Sequence, residues 1–185
     1  MKDLIIFKIP SYSSITIAPA LQSKEVNLGK KEQQEIQRFW DEVEGKIDVL
    51  NLKWHNVRIY QEGLPIARPE LIIKIIDKSA QLDKNYQIIK KLISKGAIAE
   101  GTENPDLLLV EHGSFKAFLE AKTEEERRKV AEDYKQIKAD LRARRKSFIA
   151  ERINITLKEG ETGILFSKVN HVTDKLSKDI TIRIL

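Results

Sequence analysis

The chain reads as an α/β domain, a mainly parallel sheet covered by helices, with one long helix in the C-terminal third. Three observations lead there. Short β-rich runs alternate with stretches of helical period, and strands separated by helices pair mostly in parallel. A capping box at Thr123 opens the longest helical pattern in the sequence. The 25 isoleucines and 18 leucines among 185 residues, within a hydrophobic fraction of 41%, supply a full core. At this length one domain over residues 1–185 is expected.

The elements follow in order. Leu4-Ile5-Ile6-Phe7-Lys8-Ile9 is β-rich and limited by Pro10, a buried first strand. Residues 11–29 carry Ser, Thr, Pro and Gly without helical period, a loop with a short extended piece at Ile15-Thr16-Ile17. Ile36, Phe39, Trp40, Val43 and Ile47 recur at the spacing of one helical stripe. Val57–Gln61 is the second strand, broken by Glu62-Gly63-Leu64-Pro65. Pro69 suits the first turn of a helix whose inner side is Ile72, Ile75 and Ile76. A further helix covers 84–95, with Ile89, Leu92 and Ile93 inward and Gly96 as its left-handed cap. Asn104-Pro105-Asp106 is an N-cap, a proline at the first helical position and an acid near the positive helix end. That helix runs through Leu108, Phe115 and Leu119. The long helix starts at Thr123 and extends to about Leu157, with Val130, Tyr134, Ile137, Leu141 and Phe148 on one stripe. Strands at 162–166 and 180–184 complete the sheet.

Composition excludes several classes. Without cysteine there is no disulfide scaffold, thiol nucleophile, zinc finger or iron–sulfur cluster. The first apolar run is too short for a signal peptide or a spanning helix, so a cytoplasmic location away from membranes is the default. Richness in lysine, glutamate and isoleucine is the bias of proteins from hot environments. Net charge is +5. The basic run Arg142–Lys146 is the best nucleic-acid candidate. However, residues 123–152 hold ten bases and seven acids, with Glu124–Arg128 and Glu125–Lys129 in the favourable i,i+4 order. The expectation is therefore no specific DNA or RNA binding. Contact would be limited to weak phosphate contact through Arg142, Arg144 and Lys146.

Three residues stand out as candidates for a site. Glu62 directly follows a strand, where ligands of open α/β sheets bind. Arg145 shares a helix face with Leu141 and Ile149, and a guanidinium placed there needs a carboxylate or anion partner. His171 follows the strand at 162–166 by a short loop, a position suited to a base or a ligand. His55 and His112 form no metal-ligand spacing. No His-Glu-x-x-His, Gly-x-Ser-x-Gly, phosphate-binding glycine loop or Rossmann fingerprint occurs, and no cofactor is named by the sequence.

The pieces Arg58-Ile59-Tyr60-Gln61-Glu62-Gly63, Arg145-Lys146-Ser147-Phe148-Ile149-Ala150-Glu151-Arg152-Ile153 and Gly160–Phe166 leading to His171 occur in that order. Together they resemble the superfamily that joins TraB/PrgY proteins, TIKI proteases, ChaN-type haem-binding lipoproteins and erythromycin-esterase-like hydrolases. The resemblance implies a site of Glu62, Arg145 and His171. The chain departs from the pattern in three places. Lys168 stands where Gly-x-x-His has its glycine, and Lys146 replaces the acid after the arginine. The family's first Gly-x-x-His near the amino terminus has no counterpart, because Pro10-Ser11-Tyr12-Ser13-Ser14 contains no histidine. A member so altered is expected to have lost metal-dependent hydrolysis and kept the scaffold, binding a small anionic ligand or a protein partner. The alternatives are a metal-assisted hydrolase using Glu62, Arg145 and His171, and a homodimer or regulatory module pairing through residues 123–157.

Overall fold

The computed structural model describes residues 1–9, 30–168 and 172–185. The loop expected over 11–29 lies outside them. Five strands, β1 (Lys2–Lys8), β2 (Val57–Gln61), β3 (Ile98–Glu100), β4 (Thr162–Ser167) and β5 (Ile180–Ile184), form one sheet in the order β3-β2-β4-β1-β5. Every pairing is parallel. The four strands expected from sequence are all present. β3 is an addition: three residues with an exposed Ile98 give no alternation to read. The helices are α1 (Lys30–Asp48), α2 (Pro69–Ser79), α3 (Lys84–Ser94), α4 (Pro105–Glu120) and α5 (Glu124–Thr156).

Strand alternation assigns side chains to two cores. Ile5, Phe7, Val57, Ile59, Ile164 and Phe166 meet α1, α2 and α3, with Trp40 and Ile47 of α1 and Ile89 of α3 fully covered. Phe7 stacks on Phe166 with ring centroids 5.6 Å apart. On the opposite face Leu4, Ile6, Tyr60 and Leu165 meet Ile149, Ala150 and Ile153 of α5. Right-handed crossovers demand this division, because the chain moves one way across the sheet from β1 to β3 and the other way from β3 to β5.

α5 has two halves. Residues from about 141 onward cover the sheet, while the first half packs along α4. Thr123 caps it: its hydroxyl accepts from the Glu126 N–H at 3.1 Å, and the Glu126 carboxylate accepts from the Thr123 N–H at 3.2 Å. The first half of α5 lies against α4 of the same chain. Leu141 is buried, Val130 and Tyr134 are half-buried, and Ile137 stays exposed. Neither expected i,i+4 ion pair forms at the start of α5; Glu124 pairs with Arg127 instead, at 3.2 Å. No helix among the described residues is long and apolar enough to cross a membrane.

Candidate functional site

β2 and β4 are neighbours whose onward connections diverge, β2 to β3 on one side and β4 to β5 on the other. Their carboxyl ends therefore flank the topological switch point, the usual ligand crevice of an open parallel sheet. Glu62, the residue after β2, continues the alternation of Arg58 and Tyr60 and so projects on the α5 face. Ser167 ends β4 on that same face. The Ser167 hydroxyl donates to Glu62 Oε2 at 2.8 Å, and the Lys168 backbone N–H donates to the same oxygen at 2.6 Å. Below them the Glu62 N–H donates to the Phe166 carbonyl at 3.0 Å. The Glu62 carboxylate is thus pinned across the switch point, only 10% exposed.

Arg145 arrives from α5, one turn from Leu141 and one from Ile149, and its side chain is also only 10% exposed. A guanidinium buried there needs compensating charge, and three carboxylates supply it. Nε donates to Glu103 Oε2 at 3.1 Å and Nη2 to Glu103 Oε1 at 2.5 Å, a bidentate pair. Nη1 donates to Glu111 Oε2 at 2.6 Å, and Nη2 also reaches Glu62 Oε1 at 3.5 Å. Glu62 and Arg145 therefore converge. His171 lies outside the described residues.

Glu103 and Glu111 complete the network, and neither stands out in the sequence as a site residue. Glu103 is fully buried. It is placed by backbone zipping of two loops: the Thr102 and Glu103 N–H groups donate to the Leu64 carbonyl, and the Ile66 N–H donates to the Glu103 carbonyl at 2.9 Å. Gly101 makes that approach possible, since a Cβ there would sit 2.5 Å from Ile66 Cα. The Gly63 N–H adds a bond to Glu103 Oε1 at 3.3 Å. Burial raises the Glu103 carboxyl above its ordinary range; Arg145 opposes that shift and the Glu62 charge adds to it. Glu111 comes from the inner side of α4 and also accepts from the Tyr134 hydroxyl at 3.3 Å. A sequence signal for it did exist, because Glu111 stands four residues from both Leu107 and Phe115 on the inner stripe.

On the other face of β2, the buried Asn85 donates to Gln61 Oε1 at 2.7 Å, and Gln61 donates to the Glu62 carbonyl at 2.8 Å. Asn85 Oδ1 itself is buried without a hydrogen-bond partner. Much of the Lys168 side chain is exposed, yet protein around its ammonium lowers its pKa while the Glu62 and Glu111 charges oppose the shift. Among the described residues no three His, Asp or Glu side chains are grouped to hold a metal ion.

The anionic-ligand expectation needs an Arg145 with donors to offer. The structure instead surrounds this cation with three carboxylates. The local charge is acidic rather than basic, and an incoming anion would have to displace one of them.

The chain matches no protein-family model, no characterised protein and no solved structure. The superfamily resemblance accordingly rests on the residues quoted for it.

Proposed function

We propose that the chain is a non-catalytic ligand-binding α/β domain, a degenerate relative of the superfamily it resembles. Its site would be the crevice at the carboxyl ends of β2 and β4. The observation that carries this reading is Glu62, a carboxylate fixed at the switch point by Ser167, Lys168 and Arg145. A pre-positioned carboxylate costs little ordering on binding, which is what a recognition site requires. The ligand that fits is a small molecule bearing an amine or guanidine. Three carboxylates surround one guanidinium, so an incoming cation that takes over the long 3.5 Å Arg145 contact on Glu62 Oε1 leaves no carboxylate without a positive partner. Hydrolysis is the weaker reading, because Arg145 could act as an oxyanion partner only by leaving Glu103 or Glu111.

A thermal-shift and calorimetric titration of the purified chain against alkylamines, alkylguanidines, carboxylates and inorganic phosphate tests the proposal. Amines or guanidines should raise the melting temperature of the wild-type protein and lose that effect in Glu62→Gln. Stabilisation by the anions alone, or binding that Glu62→Gln leaves intact, would overturn it.

A further inference from the structure

The first half of α5 separates its charges by face, and this separation is hidden in the linear sequence. At 100° per residue, Arg128, Ala131, Lys135, Lys138, Ala139 and Arg142 fall within one arc of about 100°. Asp133 and Asp140 lie on the opposite side of the helix and Glu132 lies outside the arc; the one acid within it, Glu124 at the helix start, pairs with Arg127. Arg128, Lys135 and Arg142 are exposed and Lys138 is half-buried. None of these four cations is in an ion pair among the described residues; Lys138 lies over the Tyr134 ring, 5.8 Å from its centre. Of the neighbouring cations, Lys129 lies outside the arc on the side of Asp133 and Asp140, and the others are neutralised. Arg127 meets Glu124, Arg144 meets Asp140, Lys146 meets Asp174, and Arg145 belongs to the buried network. The run Arg142–Lys146 is therefore mostly internally compensated, and the uncompensated charge lies along the helix over about 21 Å.

We infer that this arc is a docking surface for the phosphate backbone of double-stranded nucleic acid, engaged without regard to base sequence. Charge complementarity selects a polyanion. A straight row of cations on a rod-like helix suits the regularly spaced phosphates of a duplex. The arc carries no aromatic side chain on which unpaired bases would stack, which sets single strands aside.

Fluorescence anisotropy with a labelled 20-base-pair DNA duplex of mixed sequence, from 50 to 200 mM salt, decides it. Four neutralised phosphates imply a logarithmic salt slope of about −3.6, or roughly 150-fold weaker binding across that range. The triple variant Arg128→Gln, Lys135→Gln and Arg142→Gln should bring the slope to about −0.9. Circular dichroism would confirm its fold. The control Lys53→Gln, Lys74→Gln and Lys78→Gln changes net charge equally and should leave the slope near the wild-type value. Three outcomes would overturn the inference: no duplex binding at 50 mM salt, equal loss in both triple variants, or binding to phosphatidylserine vesicles without binding to the duplex.

Discussion

Arg145 and Glu103, 42 positions apart in sequence, form a bidentate ion pair with almost no access to water. The pair joins α5 to the loop after β3, and through the Gly63 N–H to the loop after β2 as well. Removing one partner of a buried pair leaves the other charge uncompensated, a cost of about 3–5 kcal/mol. Arg145→Met should therefore lower the free energy of unfolding by that amount in urea titration. Adding Glu103→Gln should return part of the loss, because the stranded charge disappears. If the double variant is less stable than Arg145→Met alone, the stranded-charge explanation fails.

The fold was legible because each major element has its own period. The stripe Ile36–Ile47, the capping box at Thr123 and the β-rich runs at 4–9, 57–61 and 162–166 depend only on local spacing. β3 escaped because an edge strand of three residues has too few positions to alternate. Half of the network was equally visible: Glu62 from its place after a strand, Arg145 from its place on an apolar stripe. Glu103 was not, since Gly101-Thr102-Glu103-Asn104 reads as a polar turn. Its burial depends on contacts with Leu64 and Ile66 that no local pattern encodes. The charge of α5 shows the same limit. A run counts neighbours along the chain, whereas a helix presents neighbours three and four residues apart.

Acid should weaken the protein partly through Glu161. A side-chain hydrogen bond from Arg58, at 2.5 Å, holds this carboxyl below its usual value of 4.5, helped by the Lys158 backbone N–H and opposed by burial. A depressed pKa in the folded state contributes stability that is present above the unfolded value and is lost as pH falls through the folded one. Glu44 and Asp48, held down by Lys91 first, act in the same direction. Urea titrations at pH 7, 4.5 and 3 should show Glu161→Gln less stable than wild type at pH 7, with the gap narrowing towards pH 3. A gap that stays constant would assign the difference to packing.

The capping box should account for about 1 kcal/mol, the usual cost of replacing a threonine N-cap by alanine. Thr123→Ala removes the acceptor for the Glu126 N–H and disturbs the reciprocal bond. Because the first half of α5 packs mainly on α4, the loss should be local. Hydrogen exchange should quicken in the first turns of α5 and leave the residues after Leu141 protected. Uniform acceleration along the helix would mean that α5 opens as one unit.

Two glycines should respond in opposite directions to the same substitution. At Gly101 an added Cβ would lie 2.5 Å from Ile66 Cα and 2.7 Å from the Pro65 carbonyl oxygen. Both are backbone atoms, which cannot swing aside as a side-chain tip does. Relief requires parting the loops that hold Glu103 against Arg145, so Gly101→Ala should cost at least the 1–3 kcal/mol typical of overpacking. Gly113 stands inside α4 with nothing within 4 Å of its ideal Cβ. Alanine there meets no clash and removes the conformational freedom that glycine has in the unfolded chain, a gain of about 0.5–1 kcal/mol. Denaturation midpoints measured side by side should therefore move down for Gly101→Ala and up for Gly113→Ala. A neutral Gly101→Ala would show that the two loops are not in the tight contact on which the site is built.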